Sequence, residues 1–357
     1  MKVLLLDTYF GDSHKSWAEG LKKHSKHQIK ILSLKPIHWK WRMQSGAISL
    51  AKEFNDGDFM PDVVLATSMV NLSLFKSLAQ INWQKTSLVI YFHENQLAYP
   101  FSSKDSDIIE KRDNHYGFMQ YTSALIADEV WFNSNYNKNS FLDNLKFLLT
   151  KMPKPNNLET VEQIHEKSKV IPLGFDFHSL NNKKNQNKPK TILWNHRWEE
   201  DKNPSDFVKA LKVLKENKID FNLIVTGVKN EVVKKELSEF QNETLFLGFA
   251  KDKGHYWDLL QQSDIVISTS NQEFFGISIV EAVYAGCYPI LPKRLSYPEV
   301  FKGLDVFYND FDDLTKKLYS SLKSEELPQY EERVKGLDWS KIISIYDSIL
   351  DNLPNNN

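Results

Sequence analysis

The segment SNQEFFGISIVEA, residues 270–282, follows a short apolar run and carries two glutamates, Glu273 and Glu281, separated by seven residues. The apolar run predicts a buried strand, and Gly276 lets the chain turn tightly before a helix over 277–284. Ligands of open α/β sheets bind beyond the carboxyl ends of the strands, and a helix N-terminus offers backbone N–H groups to a phosphate. The segment therefore predicts an α/β sheet with a phosphate-containing ligand at its edge.

Short apolar runs of the same kind recur along the whole chain and alternate with amphipathic helical patterns. This alternation favours parallel sheets that are covered by helices on both faces. The runs that we interpret as strands are Val3–Leu6, Ile29–Leu32, Val63–Ala66, Leu88–Phe92, Val130–Phe132, Val170–Ile171, Thr191–Trp194, Leu223–Thr226, Leu245–Leu247, Ile265–Ser268 and Tyr288–Leu291.

The segment NNKKNQNKPK, residues 181–190, is polar apart from one proline and separates two groups of these runs. Its composition is typical of a linker. A chain of 357 residues is long enough for about two domains. We therefore predict two doubly wound domains over 1–176 and 191–336, a linker over 177–190, and a final helix within 337–357.

The composition excludes several classes of protein. With 45 basic and 46 acidic residues the formal net charge is -1, which excludes a uniformly basic nucleic-acid coat protein and an acidic disordered chain. The single cysteine, Cys287, excludes an internal disulfide framework and a zinc site built from several cysteines. No apolar run approaches the ~20 residues of a membrane span. We expect a cytoplasmic protein without membrane insertion.

A second polar motif, NHRWEEDKNP at residues 195–204, follows the first strand of the second domain. Arg197 and Lys202 would lie in one loop, where two cations stabilise the negative charge that develops on a diphosphate leaving group. Ion pairs of these cations with Glu199, Glu200 or Asp201 are the plain alternative.

Two loops of the first domain hold polar residues at predicted strand ends. His93 follows the fourth strand, where a histidine contacts a sugar hydroxyl or supports developing positive charge; a buried structural histidine is the alternative. The loop over 9–15, after the first strand, contains a glycine that permits close approach of a ligand. It contains neither the dinucleotide-binding glycine pattern nor a P-loop, so dehydrogenases and P-loop enzymes are disfavoured.

The segment HWKWR, residues 38–42, interleaves basic and aromatic side chains. The pattern offers contacts to phosphates and stacking faces for bases, but the same alternation fits a half-buried strand with Trp39 and Trp41 inward. It ends a basic stretch over 15–42 that holds eight basic residues and one acid, Glu19. We interpret this stretch as a candidate contact to RNA, with a solvated helix face as the alternative.

Two Asp-x-Asp pairs, Asp56 with Asp58 and Asp310 with Asp312, are candidate metal ligands for a nucleotide-sugar. The first pair precedes a strand and the second lies in a late loop, whereas ligands of such sheets bind where strands end. We therefore expect no metal and no cofactor besides a donor substrate.

Five strings resemble one known family across nearly the whole chain. The spacing of Glu273 and Glu281, with Arg197 and Lys202 upstream, resembles the donor site of retaining glycosyltransferases of the GT-B fold, which has two Rossmann-like domains facing a cleft. The strings as a set are similar to the tRNA-queuosine mannosyltransferase family, also called glycosyltransferase-like domain-containing protein 1. They are YFGDSHK at 9–15, HWKWRM at 38–43, YFHENQLAYP at 91–100, HRWEEDKNP at 196–204 and EFFGISIVEAVYAGCYP at 273–289.

The resemblance implies transfer of mannose, with retention, from GDP-mannose to the cyclopentenediol of queuosine in the anticodon of tRNA-Asp. It implies front-face attack, with a donor phosphate oxygen taking the acceptor proton, and a last helix that crosses back to the first domain. The catalytic residues it implies are His93, Arg197, Lys202 and Glu273. The donor-binding residues we expect are Gly11, Arg197, Lys202, Gly248, Phe249, Glu273, Phe275, Gly276, Ile277 and Glu281. Those expected to contact the acceptor tRNA are Ser13, His14, His38, Trp39, Lys40, Trp41, Arg42, Glu94, Asn95, Gln96, Arg112, Asp113 and Tyr116.

Two other functions stay open. A transferase that uses another nucleotide-sugar, or a lipid or glycan acceptor, would favour an amphipathic membrane-binding helix; residues 15–30 offer few apolar positions for one. A non-catalytic RNA-binding module would tolerate the loss of Glu273 or Arg197. The sequence predicts no oligomeric state.

Overall fold

A computed structural model describes residues 1–100, 107, 114–177, 189–227 and 231–353 of the chain. The chain divides into two compact units. Unit 1 comprises Met1–Asp176 and Leu337–Asn357, and unit 2 comprises Phe177–Gly336. The last segment of the chain therefore belongs to the same unit as the first.

Unit 1 contains, in its described residues, one six-stranded parallel sheet with the order β2-β1-β3-β4-β5-β6. The chain reverses direction across the sheet between β1 and β3, and ligands bind at the carboxyl ends of such a pair. The strands are β1 (Lys2–Asp7), β2 (Gln28–Ser33), β3 (Val63–Thr67), β4 (Ser87–Phe92), β5 (Glu129–Phe132) and β6 (Ser168–Val170).

The central strands of unit 1 are largely apolar because helices pack on both faces of the sheet. All residues of β3, β4 and β5 are buried, and burial of this apolar surface is the main source of stability. The helices are α1 (Asp12–His24), α2 (Trp39–Asn55), α3 (Leu72–Leu78), α4 (His115–Ile126), α5 (Asn135–Thr150), α6 (Glu159–Glu166) and, from the end of the chain, α14 (Trp339–Asp351).

Helix α14 is anchored to α1 by close packing and by hydrogen bonds. A Cβ atom added at Gly20 would lie 2.0 Å from Nε1 of Trp339, so only glycine permits this approach. The Trp17 indole donates to the Tyr346 hydroxyl at 3.0 Å, and the Ser25 hydroxyl donates to the Asp347 carboxylate at 2.5 Å. The end of the chain therefore forms part of the core of unit 1.

Unit 2 contains, in its described residues, a second six-stranded parallel sheet with the order β12-β11-β10-β7-β8-β9. This order is that of a dinucleotide-binding doubly wound sheet, and the chain reverses between β7 and β10. The strands are β7 (Thr191–Trp194), β8 (Asn222–Thr226), β9 (Thr244–Gly248), β10 (Ile265–Ile267), β11 (Tyr288–Pro292) and β12 (Phe307–Tyr308).

Helices and short 3-10 turns connect the strands of unit 2. Helix α7 packs its buried face, which includes Phe207 and Leu211, on a core built from β7, β8 and β10. The helices are α7 (Pro204–Glu216), α8 (Glu231–Glu236), α9 (Lys253–Gln261), α10 (Ile277–Tyr284), α11 (Tyr297–Val300), α12 (Phe311–Lys323) and α13 (Glu331–Val334). The 3-10 turns are Glu200–Lys202, Ser238–Phe240 and Lys335–Leu337.

Both sheets confirm the predicted α/β class with doubly wound parallel sheets, and α10 confirms the predicted helix over 277–284. The strand alternative for HWKWR is wrong, because α2 begins at Trp39. The buried residues of α2, Met43, Ala47 and Leu50 among them, recur every three or four positions, and this helical period extends well beyond the five-residue alternation. Strand β12 was not predicted, because it has only two residues.

Candidate functional site

The candidate donor site lies in unit 2, where the loops after β7 and β10 meet at the reversal point of the sheet. These loops are joined through their backbones, because Asn271 and Gln272 both donate N–H groups to the carbonyl of Asp201. In return the Thr269 hydroxyl lies 3.0 Å from the carbonyl of Lys202 and donates to it. The two strongest sequence motifs of this half of the chain therefore form one site.

Lys202 and Glu273 form an ion pair in this site. The Lys202 Nζ atom lies 3.2 Å from Oε2 of Glu273 and also 3.2 Å from Oδ2 of Asp201, and it donates to the Gln272 carbonyl at 2.8 Å. Burial raises the pKa of the Glu273 carboxyl, but the charge and hydrogen bond of Lys202, with smaller contributions from His196 and the Phe275 N–H, together outweigh burial and lower it. Glu273 is therefore a carboxylate at neutral pH.

The other carboxylate oxygen of Glu273 shapes its own loop. Its Oε1 atom accepts the N–H group of Gly276 at 3.0 Å, directly before α10. Gly276 has φ +93°, and an added Cβ atom would lie 3.0 Å from the Tyr297 ring. A left-handed backbone next to a packed ring excludes larger residues. Glycine is therefore needed here for the turn and for the close approach of Tyr297.

Arg197 differs from Lys202 in exposure although both follow β7. The Arg197 side chain is 59% exposed and lies 3.4 Å from the Glu199 carboxylate, whereas the Lys202 side chain is 12% exposed. Both cations therefore form the local ion pairs that were the alternative to diphosphate binding, Arg197 with Glu199 and Lys202 with Asp201. Exposed pairs of the Arg197 kind contribute little to stability, so the Arg197 guanidinium is available to an anionic ligand at little cost.

Glu281 lies about a turn into α10 and belongs to a hydrogen-bonded group that the sequence did not indicate. The Tyr256 hydroxyl donates to Oε2 of Glu281 at 3.0 Å, and the Asn195 amide lies 3.3 Å from the same hydroxyl. Burial raises the pKa of Glu281 to about 7, against the opposing effects of Tyr256 and Lys253. Glu281 therefore changes protonation near neutral pH.

His196 is a second residue of the donor loop that sequence analysis passed over. Its ring is buried, and its Nδ1 atom lies 3.3 Å from the Ser278 hydroxyl in the first turn of α10. Burial and then the nearby Lys202 charge lower its pKa to about 3. His196 is therefore neutral at physiological pH. Its position beside Arg197 in the quoted string was the available signal.

The remaining residues predicted for the donor occupy mixed environments. Gly248 is the last residue of β9, and Phe249 after it is 51% exposed. Phe275 is buried, whereas Ile277, the first residue of α10, is half-buried. In unit 1, Gly11 precedes α1, and an added Cβ atom would lie 2.7 Å from Pro36, so packing explains its missing side chain.

The candidate site of unit 1 is centred on His93, directly after β4. His93 is buried, and the His14 ring stacks on it with centroids 4.2 Å apart. The Nδ1 atom of His14 lies 2.7 Å from Oδ2 of Asp7, and its Nε2 atom lies 3.2 Å from Oε2 of Glu94. Burial lowers the pKa of His14, but Asp7 and Glu94 outweigh burial and raise it to about 10. Burial and the His14 charge lower the pKa of His93 well below its ordinary value.

Aromatic side chains from three elements pack around and behind His93. Trp17 meets its ring edge-on at 4.8 Å, and Tyr91 meets it edge-on at 4.9 Å. The Tyr346 hydroxyl of α14 lies 3.3 Å from the Tyr91 hydroxyl and accepts from Trp17. The last helix thereby supports the histidine. Asp7, Trp17 and Tyr346 were not predicted, since they come from other parts of the sequence. Tyr91 was not predicted either, although it lies two residues before His93 in the string over 91–100.

The other residues of the HENQ string serve the loop as much as any ligand. Asn95 is fully buried; its amide donates to Asn137 and its carbonyl oxygen accepts from the Ala98 N–H. The Gln96 backbone N–H donates to the Gln120 side chain at 2.7 Å. Glu94 is partly exposed, while Ser13, beside His14 in α1, is half-buried.

The HWKWR segment begins α2 with a left-handed residue, the exposed His38 at φ 53°. Trp39 packs against Tyr116 at 5.1 Å, and Lys40 pairs with Asp107 at 2.5 Å. Trp41 is 62% exposed, and Arg42 is half-buried. Of the two tryptophans predicted to stack on bases, Trp41 presents its ring to solvent and Trp39 packs within unit 1. Arg112 and Asp113 lie outside the described residues.

The basic stretch over 15–42 is partly offset by acids of the same unit. Lys23 lies 3.2 Å from Asp176, and Lys26 lies 2.5 Å from Asp351. The apolar residues of α1, which are Trp17, Ala18 and Leu21, are buried, so α1 presents no apolar stripe to a membrane.

The described residues contain neither a metal-binding cluster nor a helix that could span a membrane. No cluster of three or more histidine, cysteine or acidic side chains in this part of the chain has the arrangement of a metal site. Asp310 instead caps α12 by accepting the Asp313 N–H at 2.9 Å. None of the helices over these residues has both the length and the apolar character to cross a bilayer.

Comparison with known proteins assigns a family to each half of the chain. A family model described as tRNA-queuosine alpha-mannosyltransferase N-terminal matches residues 2–175, and one described as glycosyl transferases group 1 matches residues 177–333. A tRNA-queuosine alpha-mannosyltransferase of Drosophila melanogaster is 34% identical over 332 residues, which are 89% of this chain and 86% of the relative. The chain belongs to the tRNA-queuosine alpha-mannosyltransferase family. The predicted family is confirmed, and the protein is a hexosyltransferase.

Several solved structures share the fold of this family member. An Escherichia coli structure described as trehalose-6-phosphate bound with UDP-2-fluoro glucose has a TM-score of 0.72 at 12% identity, covering 99% of this chain and 100% of that one. HepE from Anabaena, in complex with UDP and glucose, has a TM-score of 0.68 at 16% identity, with coverage of 99% and 100%. A glycosyltransferase from Rickettsia africae has a TM-score of 0.65 at 18% identity, with coverage of 98% and 99%. These likenesses confirm the predicted GT-B fold.

Proposed function

We propose that the protein transfers mannose from GDP-mannose to the cyclopentenediol of queuosine in the anticodon of tRNA-Asp, with retention at the anomeric carbon. The observation that carries this proposal is the match of residues 2–175 to the family-specific N-terminal model, together with 34% identity to the Drosophila melanogaster relative. The family-specific model covers unit 1, so the acceptor and tRNA are assigned to this unit. The general glycosyltransferase model covers unit 2, so the nucleotide-sugar is assigned there.

In this proposal Arg197 and Lys202 bind the donor diphosphate and stabilise the charge that it gains as it leaves. The exposure of Arg197 and the firm placement of Lys202 support these roles. Glu281, with Tyr256, holds the ribose hydroxyls, because a carboxylate accepts hydrogen bonds from both. The backbone at the start of α10, over Phe275, Gly276 and Ile277, lies next to the phosphates, and Gly248 and Phe249 border the nucleobase.

The sugar-binding residues in this proposal are Glu273 and His93. Glu273 hydrogen-bonds the hexose, and its fixed carboxylate supports that role. His93 offers a neutral imidazole to the transferred sugar. Gly11, in the loop before α1, stays a candidate for a backbone contact to the donor, with Pro36 occupying the space beside it.

The chemical step proceeds without a protein nucleophile. An acceptor hydroxyl oxygen bonds to the anomeric carbon on the face from which the diphosphate departs, while the bond from that carbon to the diphosphate oxygen breaks. The hydroxyl proton passes to a phosphate oxygen of the donor, and GDP is released. The contribution of the protein is then positioning and electrostatic stabilisation of the departing charge.

We assign the tRNA contact to the start of α2. The exposed ring of Trp41 offers a stacking face, and His38 and Arg42 beside it offer positive or hydrogen-bonding groups to phosphates. Ser13, Glu94, Gln96 and Tyr116 stay candidates for the acceptor base. Asn95 and His14 act by holding their neighbours, since their polar atoms are engaged within unit 1.

The experiment that tests the function incubates the protein with GDP-mannose and queuosine-containing tRNA, then measures nucleoside masses. We expect one hexose on queuosine with wild type and none with Glu273→Ala. The matched control is the same tRNA with guanosine in place of queuosine, which should gain no hexose. Transfer to a lipid or glycan acceptor, with no hexose on tRNA, would contradict the proposal.

A further inference from the structure

The geometry around His14 fixes its protonation state. A neutral imidazole has one N–H donor and one lone pair, whereas each nitrogen of His14 faces a carboxylate oxygen, Asp7 on one side and Glu94 on the other. Carboxylates only accept hydrogen bonds, so both nitrogens must donate. His14 is therefore a cation held between two anions.

The Asp7 carboxylate beside His14 is itself held in place. Asp7 is fully buried, and its second oxygen accepts the Tyr9 N–H at 2.6 Å. A buried carboxylate without a cation is strongly unfavourable, so Asp7 keeps His14 protonated. His14 lies in the first turn of α1, where the helix dipole disfavours a cation. The two carboxylates offset that effect.

The His93 ring is restrained by its neighbours on several sides. The His14 ring stacks on the His93 ring, with an angle of 26° between the two ring planes. The rings of Trp17 and Tyr91 meet it edge-on, at interplanar angles of 84° and 64°. The Nε2 atom of His93 is buried and has no hydrogen-bond partner among the described residues. The ring is fixed by its neighbours, and one of its nitrogen atoms makes no hydrogen bond to them. His93 is therefore suited to bind a ligand and not only to fill the core.

The titratable groups that contact the His93 ring are His14 of α1 and Tyr91 of β4, with Tyr346 of α14 behind Tyr91. Two acids, Asp7 of β1 and Glu94 of the loop after β4, contact His14 on its other edges. Burial raises the pKa of both tyrosine hydroxyls, so they stay neutral. The cation that contacts the His93 ring face is His14.

We propose that His14 is a positioning residue, which acts as a fixed cation between Asp7 and Glu94 to keep His93 neutral and to hold its ring plane toward the transferred sugar. This inference rests on the proposed function, because that function assigns His93 to the sugar. Positive charge develops at the anomeric carbon as a glycosidic bond breaks. A neutral His93 does not oppose this charge, whereas an imidazolium would.

The first test is a pH titration of histidine-labelled protein by NMR, which needs no substrate. The resonances of His14 and His93 are assigned by their loss in His14→Gln and His93→Gln. We expect His14 to stay protonated beyond pH 8 and His93 to stay neutral at pH 5. A His14 resonance that titrates near its ordinary pKa of about 6.5 would overturn the inference.

The second test removes the cation. In His14→Gln the His93 pKa should rise by at least one unit, because the repelling charge is lost and Asp7 is left uncompensated. If this variant fails to fold, the double variant Asp7→Asn with His14→Gln exchanges the buried ion pair for a neutral pair and should still raise the His93 pKa. The matched control is His24→Gln, on the same helix and paired with Asp176 at 2.7 Å, which should leave His93 unchanged. An unchanged His93 in a folded His14→Gln or double variant would refute the proposal.

The third test measures mannose transfer to tRNA against pH. The folded variant should show kcat lowered by about tenfold to a hundredfold with little change in the KM for GDP-mannose, because a misplaced group acts mainly on the transition state. The acidic limb of the kcat profile should move to higher pH, in step with the His93 pKa. An unmoved limb would overturn the positioning role. If wild type transfers no mannose at all, the proposed function fails, while the NMR titrations still decide the charge state of His14.

Discussion

Lys202 and Glu273 join the loops after β7 and β10 through an ion pair of 3.2 Å, at the point where the strand order of unit 2 reverses. Each partner has further contacts: Lys202 with Asp201 and Glu273 with Gly276. The pair therefore has a structural part to play before any donor is bound. The side chain of its neighbour Arg197 is 59% exposed and pairs with the similarly exposed Glu199, and exposed pairs of this kind contribute little to stability.

The contrast between Lys202 and Arg197 leads to the first prediction. Lys202→Met should lower the free energy of unfolding by about 3–5 kcal/mol, because it leaves buried carboxylates without their cation. Arg197→Ala, the matched control, should change it by no more than about 0.5 kcal/mol, as exposed substitutions do. Both should abolish mannose transfer, and Arg197→Ala should weaken GDP-mannose binding. Urea denaturation and calorimetric titration measure these effects; equal stability loss in both variants would contradict the description of the pair.

The second prediction concerns the turn at Gly276. Gly276→Ala should destabilise the protein by about 1–3 kcal/mol, because its φ is left-handed, and should weaken GDP-mannose binding, because the new methyl group displaces Tyr297. Gly303 is a matched control, since it also has a left-handed φ of +83° but nothing within 4 Å of an added Cβ atom. Gly303→Ala should show the backbone effect alone. If Gly276→Ala bound GDP-mannose with normal affinity, this turn would not form part of the donor site.

Glu281 gives a prediction about pH. Burial raises its pKa to about 7, so the carboxyl is protonated below pH 7 and ionised above it. Only the carboxylate accepts hydrogen bonds from both ribose hydroxyls. GDP-mannose affinity should therefore rise by up to about tenfold between pH 6 and pH 8, as calorimetry would measure. Glu281→Gln should bind weakly with no such rise, and a rise that survives in the variant would point to another group.

Trp41 gives a prediction about the tRNA. Trp41→Ala should raise the KM for tRNA by about tenfold, because a base stacked on an aromatic ring contributes about 1–3 kcal/mol, while the KM for GDP-mannose stays the same. Phe147 of α5 is a matched control, being 60% exposed but carried by a different helix of the same unit. Phe147→Ala should leave both values unchanged. Steady-state kinetics on both substrates separate the two variants.

The His14 cation should also be visible in stability. Its pKa of about 10 in the folded protein exceeds the ordinary value of 6.5, so the stabilisation is fully present below pH 6.5 and is lost as pH rises through 10. The free energy of unfolding should therefore fall across this range by up to about 1.4 kcal/mol per pH unit. Urea denaturation at several pH values should find a smaller slope in the double variant Asp7→Asn with His14→Gln. An equal slope would assign the effect to other groups.

The sequence predicted those parts of the site that depend on local pattern. Apolar runs marked the parallel strands, and polar residues after Trp194 and Ser268 marked the loops that hold Lys202 and Glu273. Because ligand-binding residues of such sheets follow strands, the two glutamates and two cations could be placed at one sheet edge before the strand order was known.

The parts that depend on distant contacts could not be predicted. Trp17 and Tyr346 are hydrogen-bonded although they are 329 residues apart in the chain. The path of the loop after β7 exposes Arg197 and buries Lys202. The sequence of the loop does not predict this path, so it could not show which of the two cations is buried. The HWKWR pattern was ambiguous because five residues are too few to distinguish the two-residue period of a strand from the 3.6-residue period of a helix. The helix is indicated by the residues that follow, since Met43, Ala47 and Leu50 are three or four positions apart.

The most direct measurement of the central claim is the nucleoside mass of queuosine-containing tRNA after incubation with the protein and GDP-mannose. We expect complete hexose addition to queuosine under turnover conditions with wild type, and none with Glu273→Ala. Queuosine that stays unmodified with wild type, or that is modified equally by Glu273→Ala, would contradict it.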